Sequence, residues 1–421
     1  MTKKIVLLAL VVGCSSSTTA PHTGSLKVTV DAPAGLDTVT IAGPGGFTKK
    51  ITSSTTLAVA PGSYTVAATD IASKDSIVGI VYDAVVTGSP ATIAVGATAT
   101  VSVGFAVRPG SGAMWVVGAS ASAPNTANGA IAYTVAQLRA SSSARPTVHL
   151  AFPVTPGGNI DANDVAIDGQ GNLWVANENS NTAVEYGVSA LSASGSPTPV
   201  VTLQQPASSL TTSLAFDANG DLWVANGLGN AIVEFTPSQL TSSGSPTPAV
   251  TITSELPEAI RFDSHGNLWA LNSTDGLLYG YTPGQLAASG QPVPSVTLSF
   301  DTIPALYSMA FDASGNLWLT ALASLVELSS SSLATSGTPT PAVTLTLPNA
   351  DSYIIASIAF DNGGDLWYSD IFHATIAELV PSQLAATAKV TPTVALAYGA
   401  TPLFYGTAIA FSPHTPALPL H

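Results

Sequence analysis

The hydrophobic residues of this sequence follow two successive patterns. From residue 25 to about residue 107, apolar and polar residues alternate with period two over short stretches such as Leu26–Val30 and Tyr64–Val66. Turns rich in glycine and proline, such as Pro61-Gly62-Ser63, separate these stretches. Alternation of this kind predicts about seven short strands, which fit a small antiparallel β-sandwich.

From about residue 110 onward the pattern is a repeat that contains all six tryptophans. They are Trp115, Trp174, Trp223, Trp269, Trp318 and Trp367, at steps of 59, 49, 46, 49 and 49 residues. A period in the forties, with strands and glycine turns inside each unit, predicts the blades of a propeller. We expect the tryptophans to pack between blades, and a ligand-stacking platform is the alternative.

Five units contain an aspartate six residues before the tryptophan, and the two are separated by a short turn. These aspartates are Asp168, Asp217, Asp263, Asp312 and Asp361. The spacing predicts a hairpin in which the carboxylate accepts N–H groups of the turn while a glycine adopts positive φ. A shared metal site is disfavoured because the five residues lie in five different blades. The third strands carry Glu185, Glu234 and Glu378, which we expect on a solvated face.

The two ends of the repeat region complement each other. Trp115 lacks the preceding strand with its aspartate, whereas a copy of that strand, residues 408–413, stands near the C-terminus with no tryptophan after it. The final segment is therefore expected to pair as the innermost strand of the first blade. The sequence predicts an all-β fold, with a β-sandwich over residues 25–107 and a six-bladed propeller over residues 108–421.

Composition and charge narrow the classes of function. The chain of 421 residues has 25 acidic and 11 basic residues, and its net charge of −14 argues against a nucleic-acid binder. The 46% of hydrophobic residues argues against disorder. The sole cysteine, Cys14, leaves no disulfide or thiolate metal site. The sequence contains no nucleophile elbow, phosphate loop or zinc motif. We expect the protein to be a monomer.

The repeat units resemble blades of a known propeller group. The segments Phe216–Asn226 and Phe311–Trp318 resemble NHL-type propellers, which share their fold with streptogramin lyases and the SMP-30/gluconolactonase family. This resemblance implies a fold and not a function, because such repeats occur in enzymes, scaffolds and sensors. In the N-terminal part, Ala60–Val66 resembles the turn of prealbumin-like and carboxypeptidase-regulatory-like sandwich domains.

The first residues predict export and a lipid anchor. Two lysines precede the apolar stretch Ile5–Gly13, which is too short to span a bilayer and has the form of a signal peptide. The segment ending at Cys14 resembles the lipobox of bacterial lipoproteins, which implies cleavage before Cys14 and acylation of its thiol. A plain signal peptide is the alternative. Residues 14–24 would then form a lipidated tether. In this resemblance, Ser15 after the cysteine implies that the lipoprotein is located at the outer membrane or surface of a Gram-negative bacterium.

A ligand site is expected on the propeller face where the loops between second and third strands and the blade-to-blade loops surround the channel. Polar residues that enter first strands or end second strands would form a ring there. The candidates are Asp164, Asn177, Asn226, Glu258, Asn272 and Asp370, with His373 at the rim. Such oxygen ligands could hold Ca²⁺ or Mg²⁺, in an arrangement that resembles the SMP-30 set of Glu, Asn and Asp. We expect a hydrated polar channel without a cofactor, and the metal site is the alternative.

The first blade has two long loops, near residues 119–129 and 153–163, on the same face. They either carry binding specificity or reflect neutral drift.

Two functions remain open from the sequence. The first is a surface-anchored lipoprotein whose propeller binds a protein or glycan partner. The second is a metal-dependent lactonase or lyase that uses Asp164, Glu258, Asp370 and His373. The resemblance to streptogramin lyases implies a histidine base with Mg²⁺, but His373 has no evident glutamate partner, so no catalytic residue is assigned.

Overall fold

A computed structural model of the chain describes residues 22–33, 38–73, 77–120, 128–139, 141, 146–152, 162–178, 180–206, 209–300, 306–348, 354–397 and 404–412. The predicted signal peptide, Cys14 and most of the tether lie outside these residues, as do 121–127 and 153–161 of the two long loops of the first blade. None of the helices within the described ranges is long and apolar enough to cross a membrane.

The chain forms two compact units. One contains the described residues up to Ile71 together with Tyr82–Ala106, and the other contains Ala72–Val81 together with the residues from Val107 onward. Residues 72–81, which the sequence pattern places in the sandwich, therefore belong to the larger unit. Ile77 and Val78 explain this assignment, because both are buried in the same apolar cluster as Trp367.

The smaller unit consists of two sheets around one core. Its strands are β1 (Gly24–Val30), β2 (Val39–Ala42), β3 (Thr48–Ile51), β4 (Thr55–Val59), β5 (Gly62–Ala68), β6 (Ile71–Ala72), β7 (Val81–Thr87), β8 (Ala91–Ile93) and β9 (Thr98–Val107), with a short 3₁₀ turn at Pro44–Gly46. The sheet orders are β4-β1-β9-β7-β6 and β3-β2-β5-β8. The core includes Leu26, Ile41 and Val101.

One pairing in this unit differs from the expected antiparallel pattern. Strands β1 and β9 run parallel, with Leu26 opposite Ala99. A hairpin cannot join two parallel strands, and here the strands β2 to β8 connect β1 to β9.

The larger unit consists of six sheets of four or five strands, which we call blades 1 to 6. Blade 1 contains β10 (Ala113–Ser120), β11 (Gly129–Thr134) and β12 (Val148–Ala151). Blade 2 contains β13 (Ala162–Ile167), β14 (Leu173–Asn177), β15 (Thr182–Tyr186) and β16 (Val201–Gln204). Blade 3 contains β17 (Thr211–Phe216), β18 (Leu222–Asn226), β19 (Ala231–Phe235) and β20 (Val250–Thr253). Blade 4 contains β21 (Ala259–Phe262), β22 (Leu268–Asn272), β23 (Leu277–Tyr281) and β24 (Val296–Ser299).

The remaining strands complete the ring. Blade 5 contains β25 (Leu306–Phe311), β26 (Leu317–Ala321), β27 (Ser324–Leu328) and β28 (Val343–Thr346), and blade 6 contains β29 (Ile355–Phe360), β30 (Leu366–Asp370), β31 (Thr375–Leu379) and β33 (Val394–Ala397). The short β32 (Ala388–Lys389) adds to the edge of blade 5, and β34 (Phe404–Ser412) joins blade 1. Helical turns join the third and fourth strands: α1 (Val135–Leu138), α2 (Pro283–Leu286), α3 (Pro381–Leu384), and 3₁₀ turns at Val188–Ser192, Pro237–Thr241 and Ser330–Ala334.

Blade 1 closes the ring with the last strand of the chain. β34 pairs antiparallel with β10, which places Ala410 opposite Trp115 and Ile409 opposite Val116. The blade order is β12-β11-β10-β34, so the C-terminal strand is innermost. The predicted fold class, an all-β chain with a small sandwich and a six-bladed propeller closed by its C-terminal strand, is confirmed.

The turn aspartates, defined as the five that precede a tryptophan by six residues, cap their own hairpins. In blade 2, Asp168 Oδ1 accepts the N–H groups of Gln170 and Asn172, each at 2.9 Å, while Gly171 has φ 88°. Asp168 Oδ2 accepts the indole N–H of Trp174 at 3.1 Å. The indole bond recurs in all five blades at 3.1–3.4 Å. This bond explains the constant spacing between the aspartate and the tryptophan.

The tryptophans pack between blades, as expected. The ring of Trp174 meets that of Phe216 in the next blade, with centroids 6.1 Å apart. Four further pairs follow the same rule, and the last joins Trp367 of blade 6 to Phe411 of β34 at 6.5 Å. Each aromatic pair contributes about 0.5–1.5 kcal/mol beyond its buried area. The ring closure thus repeats the ordinary contact between blades.

A second set of contacts joins the blades at their periphery, which we call the outer seam. In blade 1 the backbone N–H of His149 donates to Ser194 Oγ of blade 2 at 2.9 Å. The same bond links every blade to the next, through Ser243, Ser289, Ser336, Thr387 and Ser141. The hydroxyl belongs to the segment before the fourth strand, where the Ser-Gly-x-Pro-x-Pro motif stands in four blades.

The third-strand glutamates are not on a solvated face, which corrects the expectation from sequence. Glu185 and Glu378 are only 8% and 6% exposed, and Glu234 is half-buried. Glu185 lies opposite Trp174 in the strand register, so its side chain shares the face that packs between blades. Burial, followed by the nearby Asp168 carboxylate, raises the pKa of Glu185 to about 7.

Candidate functional site

A cavity of about 290 Å³ lies where the chain enters the innermost strands of the propeller. All six innermost strands supply lining residues, which include Asp164, Ser213, Arg261, Ser308, Ser357 and Ala408. The chain enters each of these strands on the same face, because every blade repeats the same strand order. The channel face expected from the sequence therefore contains a real cavity.

Arg261 interrupts a pattern of alanines in the innermost strands of the propeller. The residue two places before the turn aspartate is alanine in the other blades: Ala166, Ala215, Ala310 and Ala359, with Ala410 in the same position of β34. These alanines are buried in the apolar clusters between blades, such as Ala166 with Trp174 and Ala310 with Trp318. In blade 4 the position holds Arg261, which is only 5% exposed. Sequence reasoning missed this residue, although a position-by-position comparison of the repeats would have found it.

The guanidinium of Arg261 forms a bidentate ion pair across the channel. Its Nη1 lies 2.9 Å from Asp164 Oδ2, and its Nη2 lies 3.1 Å from Asp164 Oδ1. Nη1 also donates to the carbonyl of Ile260 at 2.7 Å and to Ser213 Oγ at 3.1 Å. Because Asp164 is 5% exposed, both charges are buried and depend on each other.

Asp164 also accepts hydrogen bonds from backbone and hydroxyl donors in blades 2 and 3. Its Oδ2 accepts the hydroxyl of Ser213 and the N–H of Leu214, both in blade 3. Its Oδ1 accepts the N–H of Val165 at 2.9 Å. The carboxylate thus joins blades 2, 3 and 4 at the centre of the ring, and its acceptor sites are largely occupied.

Glu258 adds a half-buried carboxylate to the cavity wall. Burial raises its pKa above the ordinary range, while the hydroxyl of Thr274, which donates to Oε1 at 3.2 Å, acts in the opposite direction. Glu178 also lines the cavity. Since Arg261 pairs with Asp164, Glu258 adds negative charge to the lining. Such a lining favours ligands with hydroxyl or cationic donors.

Apolar side chains are exposed around the same cavity. Leu228 and Tyr307 line it and are 59% and 43% exposed. Leu322 and Phe372, in the corresponding loops of blades 5 and 6 between second and third strands, are 37% and 64% exposed. The channel face therefore combines an acidic centre with an apolar and aromatic rim.

The structure does not bring the seven candidate residues into one ring. Asp164 and Glu258 line the cavity, but the residues that end second strands do not line it. These are Asn177, Asn226, Asn272 and Asp370, and all four are at least 98% buried.

The buried second-strand residues bond within their own neighbourhood. Asn272 donates to Asp275 Oδ2 at 2.9 Å. Asp370 accepts the N–H of Phe372 at 3.0 Å and lies 2.5 Å from His373 Nδ1. Asn272 and Asp370 thus stabilise the loops between the second and third strands of blades 4 and 6, whereas Asn226 donates to Gln205 Oε1 of the blade-to-blade loop at 3.3 Å.

A metal site in the channel, which the sequence left open as the alternative, does not fit the residues present. Asp164, the innermost carboxylate, already pairs with a guanidinium through both oxygens. Among the described residues, the one group of three acidic or histidine side chains with ligand atoms close together is Asp361, Asp365 and Glu378, at the opposite face. Arg261 thus supplies the positive charge that the sequence hypothesis assigned to a divalent ion.

Comparisons with known proteins found similar solved structures but no family. No family model matches the chain, and no curated protein matches it significantly. Among solved structures, a virginiamycin B lyase from Staphylococcus aureus is similar at 15% identity over 52% of this chain and 67% of its own, with a TM-score of 0.38. A streptogramin B lyase is similar at 13% identity over 64% and 85%, with a TM-score of 0.44. A protein of unknown function from Bacteroides caccae is similar at 14% identity over 71% and 98%, with a TM-score of 0.48.

Proposed function

We propose that the propeller is a binding module whose channel face holds a glycan or protein partner, and that Cys14 anchors the chain to the cell envelope. The observation that carries the proposal is the buried Arg261–Asp164 pair, which occupies the centre of the channel face with a fixed, mutually satisfied ion pair. A group engaged in this way holds a rigid shape, with both carboxylate oxygens already occupied.

The cavity wall suits a partner that donates hydrogen bonds. Glu258 supplies acceptors, and Tyr307 presents a partly exposed ring to the same cavity. Sugar hydroxyls can donate to carboxylates while a sugar face packs on an aromatic ring. The wider rim with Leu228 and Phe372 adds apolar surface of the kind that anchors a protein partner.

Binding by purified protein carrying Cys14→Ser tests this proposal. The probes are immobilised envelope polysaccharides and, separately, outer-membrane vesicles whose proteins are crosslinked to the bound chain. Tyr307→Ala should weaken binding by about tenfold or more, as loss of a central aromatic residue does. Glu258→Gln should weaken polysaccharide binding more than protein binding.

The matched control is Val293→Ala. Val293 is 83% exposed and lies between the third and fourth strands of blade 4, away from the channel face. The Val293→Ala variant should bind both probes as the parent does. If Tyr307→Ala and Glu258→Gln bind both probes as the parent does, the channel face is not the binding surface.

A further inference from the structure

Three carboxylates meet at the turn of blade 6, on the face opposite the channel cavity. Asp361, Asp365 and Glu378 place one oxygen each within 4.8 Å of one another. We call this group the blade 6 acidic cluster. Asp361 is 2% exposed and Glu378 is 6% exposed, so two of the three residues are buried.

The repeat shows what this cluster lacks. In blades 2, 4 and 5 the residue four places after the turn aspartate is an asparagine: Asn172, Asn267 and Asn316. Its side-chain amide donates to Oδ2 of the turn aspartate at 2.8–2.9 Å. In blade 6 the residue is Asp365, whose carboxylate cannot donate in its ionised form. The positive end of the amide dipole is replaced by a second negative charge.

Glu378 has no partner for its carboxylate. Within the described part of the chain, no hydrogen bond or ion pair reaches this side chain, although it is 94% buried and directed at the two aspartates. No lysine, arginine or histidine of that part forms an ion pair with either aspartate. Buried carboxylates in proteins are paired, coordinate a metal or take up a proton, so either a cation or a proton must compensate this cluster.

The turn aspartate retains capacity for one more contact. Asp361 Oδ1 accepts the N–H groups of Gly363 and Asp365, and Oδ2 accepts the indole N–H of Trp367 at 3.1 Å. A carboxylate offers about four acceptor positions, so one on Oδ2 remains.

The blade 6 cluster is more enclosed than its equivalent in blade 3. The N–H of Asn362 donates to the carbonyl of Ile77 at 2.9 Å, which places residues 77–81 beside this turn. In blade 3, Asp217, Asp221 and Glu234 are all only half-buried. Blade 3 therefore provides an internal comparison with the same residue types but more access to water.

We propose that the blade 6 acidic cluster binds a single Ca²⁺ ion. Its donors are hard carboxylate oxygens, which Ca²⁺ and Mg²⁺ prefer over softer ligands. Two oxygens bound to one Ca²⁺ lie at most about 5 Å apart, which accommodates the 4.8 Å span of the cluster. Mg²⁺ has shorter bonds and needs a tighter octahedral set. The ion joins the hairpin turn of blade 6 to its third strand, a structural role independent of the channel face.

Calcium titration of the purified, chelator-treated protein tests the proposal. Calorimetry should detect one Ca²⁺ per chain, and the melting temperature should rise with CaCl₂ in a saturable manner. Asp365→Asn restores the asparagine of blades 2, 4 and 5, so this variant should melt above the parent in EDTA. It should bind Ca²⁺ at least about tenfold more weakly, because one charged ligand is lost.

Two further variants make the result decisive. Glu378→Gln removes another ligand without a change of size and should also weaken binding. Asp221→Asn makes the equivalent change in blade 3 and should leave Ca²⁺ affinity unaltered. Absence of Ca²⁺ binding by the parent, or equal binding by the parent, Asp365→Asn and Glu378→Gln, would overturn the proposal. A melting temperature that responds to acid but not to Ca²⁺ would overturn it in favour of a shared proton.

Discussion

Replacement of Arg261 by alanine should destabilise the propeller strongly. The substitution removes a guanidinium that makes two bonds to Asp164 and one to the Ile260 carbonyl. Asp164 keeps its bonds from Ser213, Leu214 and Val165 but loses its counter-charge. Removal of one partner of a buried pair typically costs about 3–5 kcal/mol. The adjoining cavity lets water reach the orphaned carboxylate, so we expect a loss of about 3 kcal/mol.

Urea denaturation followed by tryptophan fluorescence measures this loss. All six tryptophans lie in the larger unit, so the signal reports the propeller and not the sandwich. The free energy of unfolding of Arg261→Ala should fall while the slope against urea stays constant.

The double variant Arg261→Met with Asp164→Asn provides the control. It removes both charges together and keeps similar volumes, so its stability should lie within about 1–2 kcal/mol of the parent. If Arg261→Ala costs less than about 1 kcal/mol, the pair is not the buried, mutually dependent contact described above.

Three further outcomes follow from the structure. Deletion of residues 401–421 removes β34 and should abolish cooperative unfolding of the propeller, and a truncated protein that melts like the parent contradicts the closure. Burial raises the pKa of Glu185 to about 7, so the folded chain holds a proton that the unfolded chain releases. Stability should therefore rise as pH falls from about 8 to 5, and Glu185→Gln should stabilise the protein at the upper end only. Cells grown with labelled palmitate should label the parent but not Cys14→Ser, and label in the variant refutes the anchor.

The architecture was predictable because each blade repeats one set of local contacts. The aspartate and tryptophan keep their spacing since the carboxylate binds both the turn and the indole, as in Asp168 with Trp174. The orphan strand at residues 408–413 predicted closure because an innermost strand without a partner would leave an exposed sheet edge. The periodicity of the sequence therefore predicted both the number of blades and the strand pairing that closes the ring.

The functional site was less predictable, because polar residues assigned to one ring make different contacts. Asp164 and Asp370 were both assigned to a polar ring, yet one pairs with Arg261 and the other caps its own loop. A hydrophobicity pattern does not reveal this difference, since both residues lie at strand ends. Arg261 escaped notice because one arginine within an apolar strand looks like a solvated residue. Its significance appears only when it is compared with the alanines of the other blades.

The outer seam limits the pairing of other polypeptide chains with the outer edges of the blades. A four-stranded blade presents its last strand as a template to which a foreign strand could add. Here the N–H of His149, Thr202 and their counterparts is already bound by a hydroxyl from the adjoining blade. Recruitment of another polypeptide by strand addition at these positions would require that bond to break. The perimeter is thus protected against strand addition at each of these six positions.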